Sequence, residues 1–481
     1  MGALLTKTLF LISALALSAA AAELHIGAAG IDITPDKPVA LSGQFKTRVS
    51  QGVQSPLTAT AVALEAREGA QIGDQAILLS CDLIGFYPKV VEAVRTRLRE
   101  KLPEFDPRKL VLTATHTHTA PITEENYYTL PKEGVMPRGA YTAILADRLS
   151  EVCTNAWKQR KPGGVSWGMG SASIGINRRA VYAGGEAKMY GDTAAPDFDH
   201  IEGGNDDGLE LLFFWDDQKK LLASGVNVAC PAQVLEHSMS ISADFWHDVR
   251  EQLGTGLVLG WPGACGDLSP HWMIRKPAEL RMLKLRGLTR TSEIGRRIAR
   301  EVNDVRELTR NDIRTAVPFA HSIETIDLPI RQVTEQDVES AKKAIEALKI
   351  KKPNSHQIGS FQKTINQFGK QDTTQTVSAV VHVLRIGDIA IATCPFELFQ
   401  DYGMQIKARS KAEQTFIIEL TDGFLLYLPT LRAVAAGGYS AMASDNRVGP
   451  DGGKILVNRT VDMINALWQD TSAPTNHTPN P

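Results

Sequence analysis

The sequence predicts a mixed α/β fold of the α+β kind, one large domain in which mixed sheets are flanked by helices. Three observations predict it. Strand-like runs of β-branched and apolar residues are interspersed with amphipathic helical patterns. No linker rich in Pro, Gly and Ser interrupts residues 23–470. The 481 residues, 43% hydrophobic and 22% charged, are enough to bury a sizeable core.

The elements follow in chain order. Residues 1–22 read as a signal peptide: one cation at Lys7, an apolar core from Leu9 to Leu17, then the small residues Ala20-x-Ala22. The mature chain is therefore expected to begin at Glu23 and to be exported to the periplasm or beyond. No later stretch approaches the roughly eighteen uninterrupted apolar residues of a membrane span. Strands are expected over 76–83, 110–115, 211–215, 226–230, 380–386, 389–393 and 415–420. Helices are expected over 88–102, 141–157, 292–305 and 334–348, the last opened by a cap-like Thr334 and Asp337. Segment 183–208, rich in Gly and Asp, reads as a long surface loop, and residues 471–481 as a disordered tail.

Charge and cysteine content exclude several functions. A net charge of −2 from 52 basic and 54 acidic residues leaves no footprint for nucleic acid or an anionic membrane. Five cysteines, at 81, 153, 230, 265 and 394, are too few and odd in number for a disulfide framework.

Five segments carry candidate chemistry. In "VLTATHTHTAP" a strand-like run enters His116 and His118, which an extended chain would place on one side, as metal ligands require. The segment 227–250 holds Cys230, Glu236, His237, Asp244 and His247. The Gly-rich turn "GWPGACGDLSPHW" presents Asp267, Ser269 and His271 but lacks the glycines of a nucleophile elbow. Glu397 leaves an apolar strand after Cys394-Pro395, which is expensive for a carboxylate unless it is paired or metal-bound. Tyr427 and Tyr439 lie in "YLPTLRAVAAGGY".

Taken jointly and in order, these segments resemble the neutral ceramidase family of zinc amidohydrolases. "AGIDITP" (29–35) is similar to the family's opening strand and turn, and "ATHTHTAP" to its T-H-T-H-S-G-P. "INRR" (176–179), "SISADF" (240–245), "GDLSP" (266–270) and "CPFELF" are similar to its I-N-R-S, S-x-D, G-D-V-S-P and P-G-E-F stretches. The two tyrosines stand in register with the family's pair.

The resemblance implies a neutral ceramidase-like catalytic domain over 23–470 and a Zn2+ held by His116, Glu397 and Tyr427. A fourth ligand, a histidine in the family, falls on Cys230. Either Cys230 binds as a thiolate, or His237 or His247 substitutes for it, or the metal has gone. The resemblance further implies His118 as proton carrier, Arg178 and Tyr439 as donors to a carbonyl oxygen, and metal-activated water or Ser269 as nucleophile. The activity the resemblance implies is cleavage of an amide (N-acyl) bond, with a small-molecule or lipid-like substrate as the partner. Hydrolysis of an ester or glycosidic bond on the same scaffold, or a non-catalytic binding role, are the alternatives. Two departures from the family bear on substrate: "RAVAAGG" replaces the residues before the second tyrosine, and no immunoglobulin-like domain follows.

Overall fold

The computed structural model describes residues 21–123, 128–131, 133–351 and 356–469. The expected signal segment, except its last two residues, and the expected tail 471–481 lie outside them. Twelve strands join in one sheet: β1 (Ala21–Asp32), β2 (Thr58–Glu68), β3 (Gln71–Cys81), β4 (Leu110–Ala114), β5 (Lys161–Ser171), β6 (Gly208–Asp216), β7 (Leu221–Val228), β8 (Leu257–Pro262), β9 (Ala316–Pro329), β10 (Thr376–Ile386), β11 (Ile389–Thr393) and β12 (Gln414–Ile418).

β1 is the branch point. Its length pairs with β2, while its first residues also pair with β5 and β9. Three limbs leave it: β2-β3-β4, β5-β6-β7-β8 and β9-β10-β11-β12. Neighbours are antiparallel except at each tip, where β3/β4, β7/β8 and β11/β12 run parallel.

Alternation along the strands explains the packing. In β6, Leu211 and Phe213 face one apolar cluster while Leu212 and Phe214 face another. Ile389 and Ile391 of β11 join the second cluster, as do Leu78 of β3 and Trp261 of β8. The three limbs therefore share a central core on their inner faces. Each outer face is covered by helices. Pro88–Lys101 and Arg138–Lys158 pack on the first limb, Phe245–Leu253 and Arg290–Thr309 on the second, Gln400–Arg409 and Pro450–Ala466 on the third. Burial on both faces is why these strands read as continuous apolar runs.

The expected strands and helices are all present. Segment 183–208 differs from the expected plain loop. Ala187–Met189 and Phe198–Ile201 flank Arg179–Tyr182 in a small separate sheet, whose strands are too short for a periodicity signal. β5, "KPGGVSWGMGS", was likewise not expected as a strand. A Cβ on Gly168 would meet Val305 at 2.7 Å, so the glycines that hide the strand pattern let helix Arg290–Thr309 lie close.

Asp244 caps helix Phe245–Leu253, accepting from the Phe245 N–H, and also accepts from Leu235 N–H. Burial pushes its carboxyl up to about 6, against these stabilising N–H groups. The folded state therefore keeps a proton that the unfolded chain has lost above about pH 4. The stability this proton confers is full below pH 4 and is lost as pH rises through 6. Denaturant unfolding at pH 4.5 and 7 should show a fall across this window that Asp244→Asn reduces. In the same assay Gly27→Ala, whose Cβ would strike the Ala156 carbonyl oxygen, should cost about 1–3 kcal/mol. Gly52→Ala, which meets nothing within 4 Å, should cost far less.

Candidate active site

The C-terminal ends of the three parallel pairs deliver the site. β4 runs into His116, β7 into Cys230 and Gln233, β8 into Gly266 and Ser269, β11 into Glu397, and β12 into the segment 419–427.

The threonines of "THTHT" act as anchors and leave the histidines to face inward. Thr115 donates its N–H to Cys81 O (2.9 Å) and its hydroxyl to Asp82. The Thr117 and Thr119 hydroxyls both donate to Ser242 O, at 2.7 and 2.8 Å. His116 does not continue the strand. β4 ends at Ala114, and His116 has φ of 62°, so the extended-chain argument for the two histidines does not apply. The turn converges them instead, with ring centroids 4.8 Å apart and Nε2 to Nε2 at 3.3 Å. His116 Nδ1 meets Ile84 O at 2.7 Å, so Nδ1 carries a proton and Nε2 is the nitrogen turned into the site.

That Nε2 lies 3.3 Å from Glu397 Oε1. Glu397 pairs in register with Tyr427 across the short strands Glu397–Leu398 and Tyr427–Leu428. The Tyr427 hydroxyl accepts from Arg178 Nη2 (3.2 Å) and meets the Tyr439 hydroxyl at 3.3 Å. Arg178 Nη2 also donates to Gly266 O at 2.8 Å. The structure thus brings His116, His118, Glu397, Tyr427, Tyr439 and Arg178 together.

Charge in this cluster is sharply partitioned. Burial, then the nearby His116, Arg48 and Arg178, hold His118 well below the usual histidine range, so it is neutral. Burial would also lower His116, but the Glu397 carboxylate and the Ile84 carbonyl raise it. Burial opposes the charge on Arg178, yet the surrounding Tyr427, Tyr190 and Tyr439 oxygens raise it well above its ordinary value. Burial raises both Tyr427 and Tyr439, which stay protonated. Two buried nitrogens here, Arg178 Nε and His118 Nδ1, have no hydrogen-bond partner among the described residues. Buried nitrogens without a partner also occur elsewhere, at Arg138 and Arg160 among others, so these two mark spare donor capacity within the cluster.

Ser269 is fully buried one step away. Its Oγ meets the Tyr190 hydroxyl at 2.9 Å and accepts from Gln233 Nε2 (3.0 Å) and His271 N (3.1 Å). Cys230 is turned aside. It sits in the apolar cluster with Ala232, Phe245 and Trp246, and its thiol points to the Pro231 carbonyl at 3.6 Å. Burial pushes that thiol well up, so it keeps its proton. His237 is 80% exposed and faces Glu236, and His247 is half-buried on helix Phe245–Leu253. Neither makes a hydrogen bond or ion pair with His116, Glu397 or Tyr427.

The donors present suit a zinc ion in part. Two donors of a tetrahedral zinc with bonds of about 2.0–2.1 Å stand about 3.3–3.4 Å apart, which is the His116–Glu397 separation. The His116 Nδ1–H to carbonyl bond is the outer contact a metal-binding imidazole usually has. Tyr427 adds an oxygen beside them. Among the described residues, however, no group of three or more His, Cys, Asp or Glu side chains is placed to hold a metal.

Of the supporting residues, Glu236 stood among the sequence candidates, whereas Glu419 and Arg179 had no role assigned. Glu419, fully buried, accepts from Leu398 N, Cys265 N and the Cys265 thiol at 2.8, 3.1 and 3.0 Å, locking the Glu397 turn to the Gly266 turn. Arg179 points opposite to Arg178. It pairs with Glu202 and donates to Gly437 O and Tyr439 O, holding the loop that carries Tyr439. Glu236 approaches His118 at 3.8 Å and His271 at 3.1 Å. The adjacent arginines of "INRR" were the one sequence signal for such a second layer. A separate cavity lies away from this cluster, between Phe361 and the loop residues Gly438 and Met442.

No family model and no curated protein matches the chain. Solved structures do, among them two ceramidases. One is a ceramidase complexed with C2, at 17% identity and TM-score 0.65 over 94% of this chain and 77% of the other. The second is neutral ceramidase from Pseudomonas aeruginosa, at 17% identity and TM-score 0.64 over 94% and 76%. The three-limbed sheet with its covering helices is a neutral ceramidase-like fold.

Proposed function

We propose that the chain is an exported zinc-dependent hydrolase that cleaves an amide (N-acyl) bond. The observation that carries this reading is the buried meeting of His116, Glu397, Tyr427, Arg178 and Tyr439, with the unpartnered Arg178 Nε and His118 Nδ1 beside them. The ceramidases that share the fold support an N-acyl lipid or a smaller N-acyl compound as the substrate class.

His116, Glu397 and Tyr427 would hold the metal. A bound zinc supplies Lewis-acid polarisation and activation of water near neutral pH. Arg178 and the Tyr439 hydroxyl are the donors for the carbonyl oxygen as it gains charge, since both keep their protons and Arg178 Nε is unspent. His118 is neutral and accepts a proton at Nε2, the nitrogen facing His116, then returns it to the leaving amine. Ser269 is better suited to positioning substrate than to attack. Tyr190, Gln233 and the His271 N–H hold its Oγ, and no imidazole or carboxylate is bonded to it as base.

Export fits the fold at its edge. Cleavage before Glu23 removes the Ala21–Pro318 and Ala22–Val317 pairs and leaves the long β1–β2 ladder whole. No described helix is long and apolar enough to cross a membrane.

Purified full chain should carry about one zinc per molecule, and His116→Ala and Glu397→Ala should each lose it. Cys230→Ala should retain it. A wild-type content under about half an equivalent would count against the zinc reading. Arg178→Lys should lower kcat about 10²–10³-fold on an N-acyl substrate, the typical loss for an oxyanion donor. A panel of N-acyl lipids, N-acyl amino acids, esters and aryl glycosides tests the bond cleaved. Turnover confined to esters or glycosides would replace the amide reading.

A further inference from the structure

A line of buried ionisable groups runs beneath the site and takes no part in the chemistry above. His321 on β9 and His382 on β10 meet at 2.9 Å, Nε2 to Nδ1. His382 Nε2 meets Asp422 Oδ2 at 2.5 Å, and both side chains are wholly buried. At the far end His321 Nδ1 meets the Gln75 carbonyl at 3.3 Å.

Counting protons along this line gives its charge. The Gln75 carbonyl can only accept, so His321 Nδ1 carries a proton. A carboxylate at Asp422 can only accept, so His382 Nε2 carries one as well. The link between the rings needs a third. Two imidazoles holding three protons carry one positive charge. Although burial pushes Asp422 up, His382 and Arg95 outweigh it and hold the carboxyl ionised. His382 is the ring against the Asp422 carboxylate, whereas His321 lies beside the Lys109 cation, so the extra proton belongs on His382.

The charged groups around the line are Arg95 from helix Pro88–Lys101, Lys109, Asp74 and Asp422. Arg95 donates to Asp422 Oδ2 at 2.7 Å. Asp74 accepts from the His321 N–H at 2.6 Å and pairs with Lys109.

Asp422 is also the point where two site-bearing segments are clasped. Its N–H donates to Leu112 O (2.9 Å), and its Oδ1 accepts from Leu112 N–H (3.1 Å). Leu112 belongs to β4, which leads to His116. Asp422 begins the turn to Phe424, whose ring packs on His116, and to Tyr427.

We propose that His382 is a buried imidazolium, and that the His321–His382–Asp422 line is a positioning brace fixing the Tyr427 segment against the His116 segment. His382 and Asp422 are positioning residues, not catalytic ones.

The test is NMR on the full chain labelled with 15N-histidine, with His382 assigned by comparison with His382→Gln. At pH 7, His382 should carry protons on both ring nitrogens and His321 on Nδ1 alone. A singly protonated His382 would overturn the proposal, with His382→Asn supplying the assignment should His382→Gln fail to fold. His382→Gln, which keeps an N–H but not the charge, should shift the His116 ring signals. An exposed control, His200→Gln, should leave them in place. Unmoved His116 signals in folded His382→Gln would overturn the positioning role. None of these readouts is hydrolysis, so the brace stands or falls apart from the hydrolase reading.

Discussion

The site depends on one constraint: three parallel strand pairs end at the same place, in a dry interior, and their polar ends must satisfy one another. The bonds that do so cross between limbs. Ser80 Oγ on the first donates to Gly260 O on the second at 2.8 Å. Asn227 on the second donates to Ile417 O on the third at 2.9 Å. Glu419 N–H donates to Pro262 O, and Asp422 N–H to Leu112 O. A buried hydrogen bond adds only about 1 kcal/mol when made, but stranding its partner costs about 1–3 kcal/mol. The strand ends are thereby held in one mutual arrangement, and with them His116, Gly266, Glu397 and Tyr427.

The same dryness sets the charges. The site groups are buried, His118 and Tyr439 partly so, and each titratable residue is driven toward its neutral form unless a neighbour compensates. His118, crowded by cations, is neutral and able to accept a proton. Arg178, ringed by three tyrosines, stays charged. The tyrosines stay protonated as donors. An acceptor, a permanent cation and hydroxyl donors thus stand together, which is what stabilising charge on a carbonyl oxygen requires. Glu419 adds a further carboxyl directly behind Glu397. Burial raises it to about 8, against the Cys265 donors and His116, so the site does not carry two full negative charges side by side near neutral pH.

Much of this was legible in the sequence, for physical reasons that differ by residue. β4 and β11 could be read because strands buried on both faces are uninterrupted apolar runs. Glu397 could be picked out because a carboxylate leaving such a run needs a partner, and His116 by its spacing with His118, while Tyr427 stood out only through the family resemblance. β5 could not be read, because its glycines serve the helix that packs on it. The reversal of His116 into the left-handed region was equally hidden, since it is imposed by the Ile84 and Asp82 contacts rather than by local propensity. Cys230 shows the limit of register. Its position along the chain suggested a ligand, but the side chain turned into the Phe245–Trp246 cluster, where a small buried thiol is at home. The second layer of Glu419, Arg179 and Glu236 is assembled from distant segments and leaves almost no local signal.

The central claim is that the metal site is built from nitrogen and oxygen donors, with the cysteine outside it. X-ray absorption at the zinc edge of the metal-loaded full chain tests this most directly. The account predicts a first shell of N and O scatterers only, at about 2.0–2.2 Å. A sulfur scatterer at about 2.3 Å would place Cys230 on the metal and contradict it.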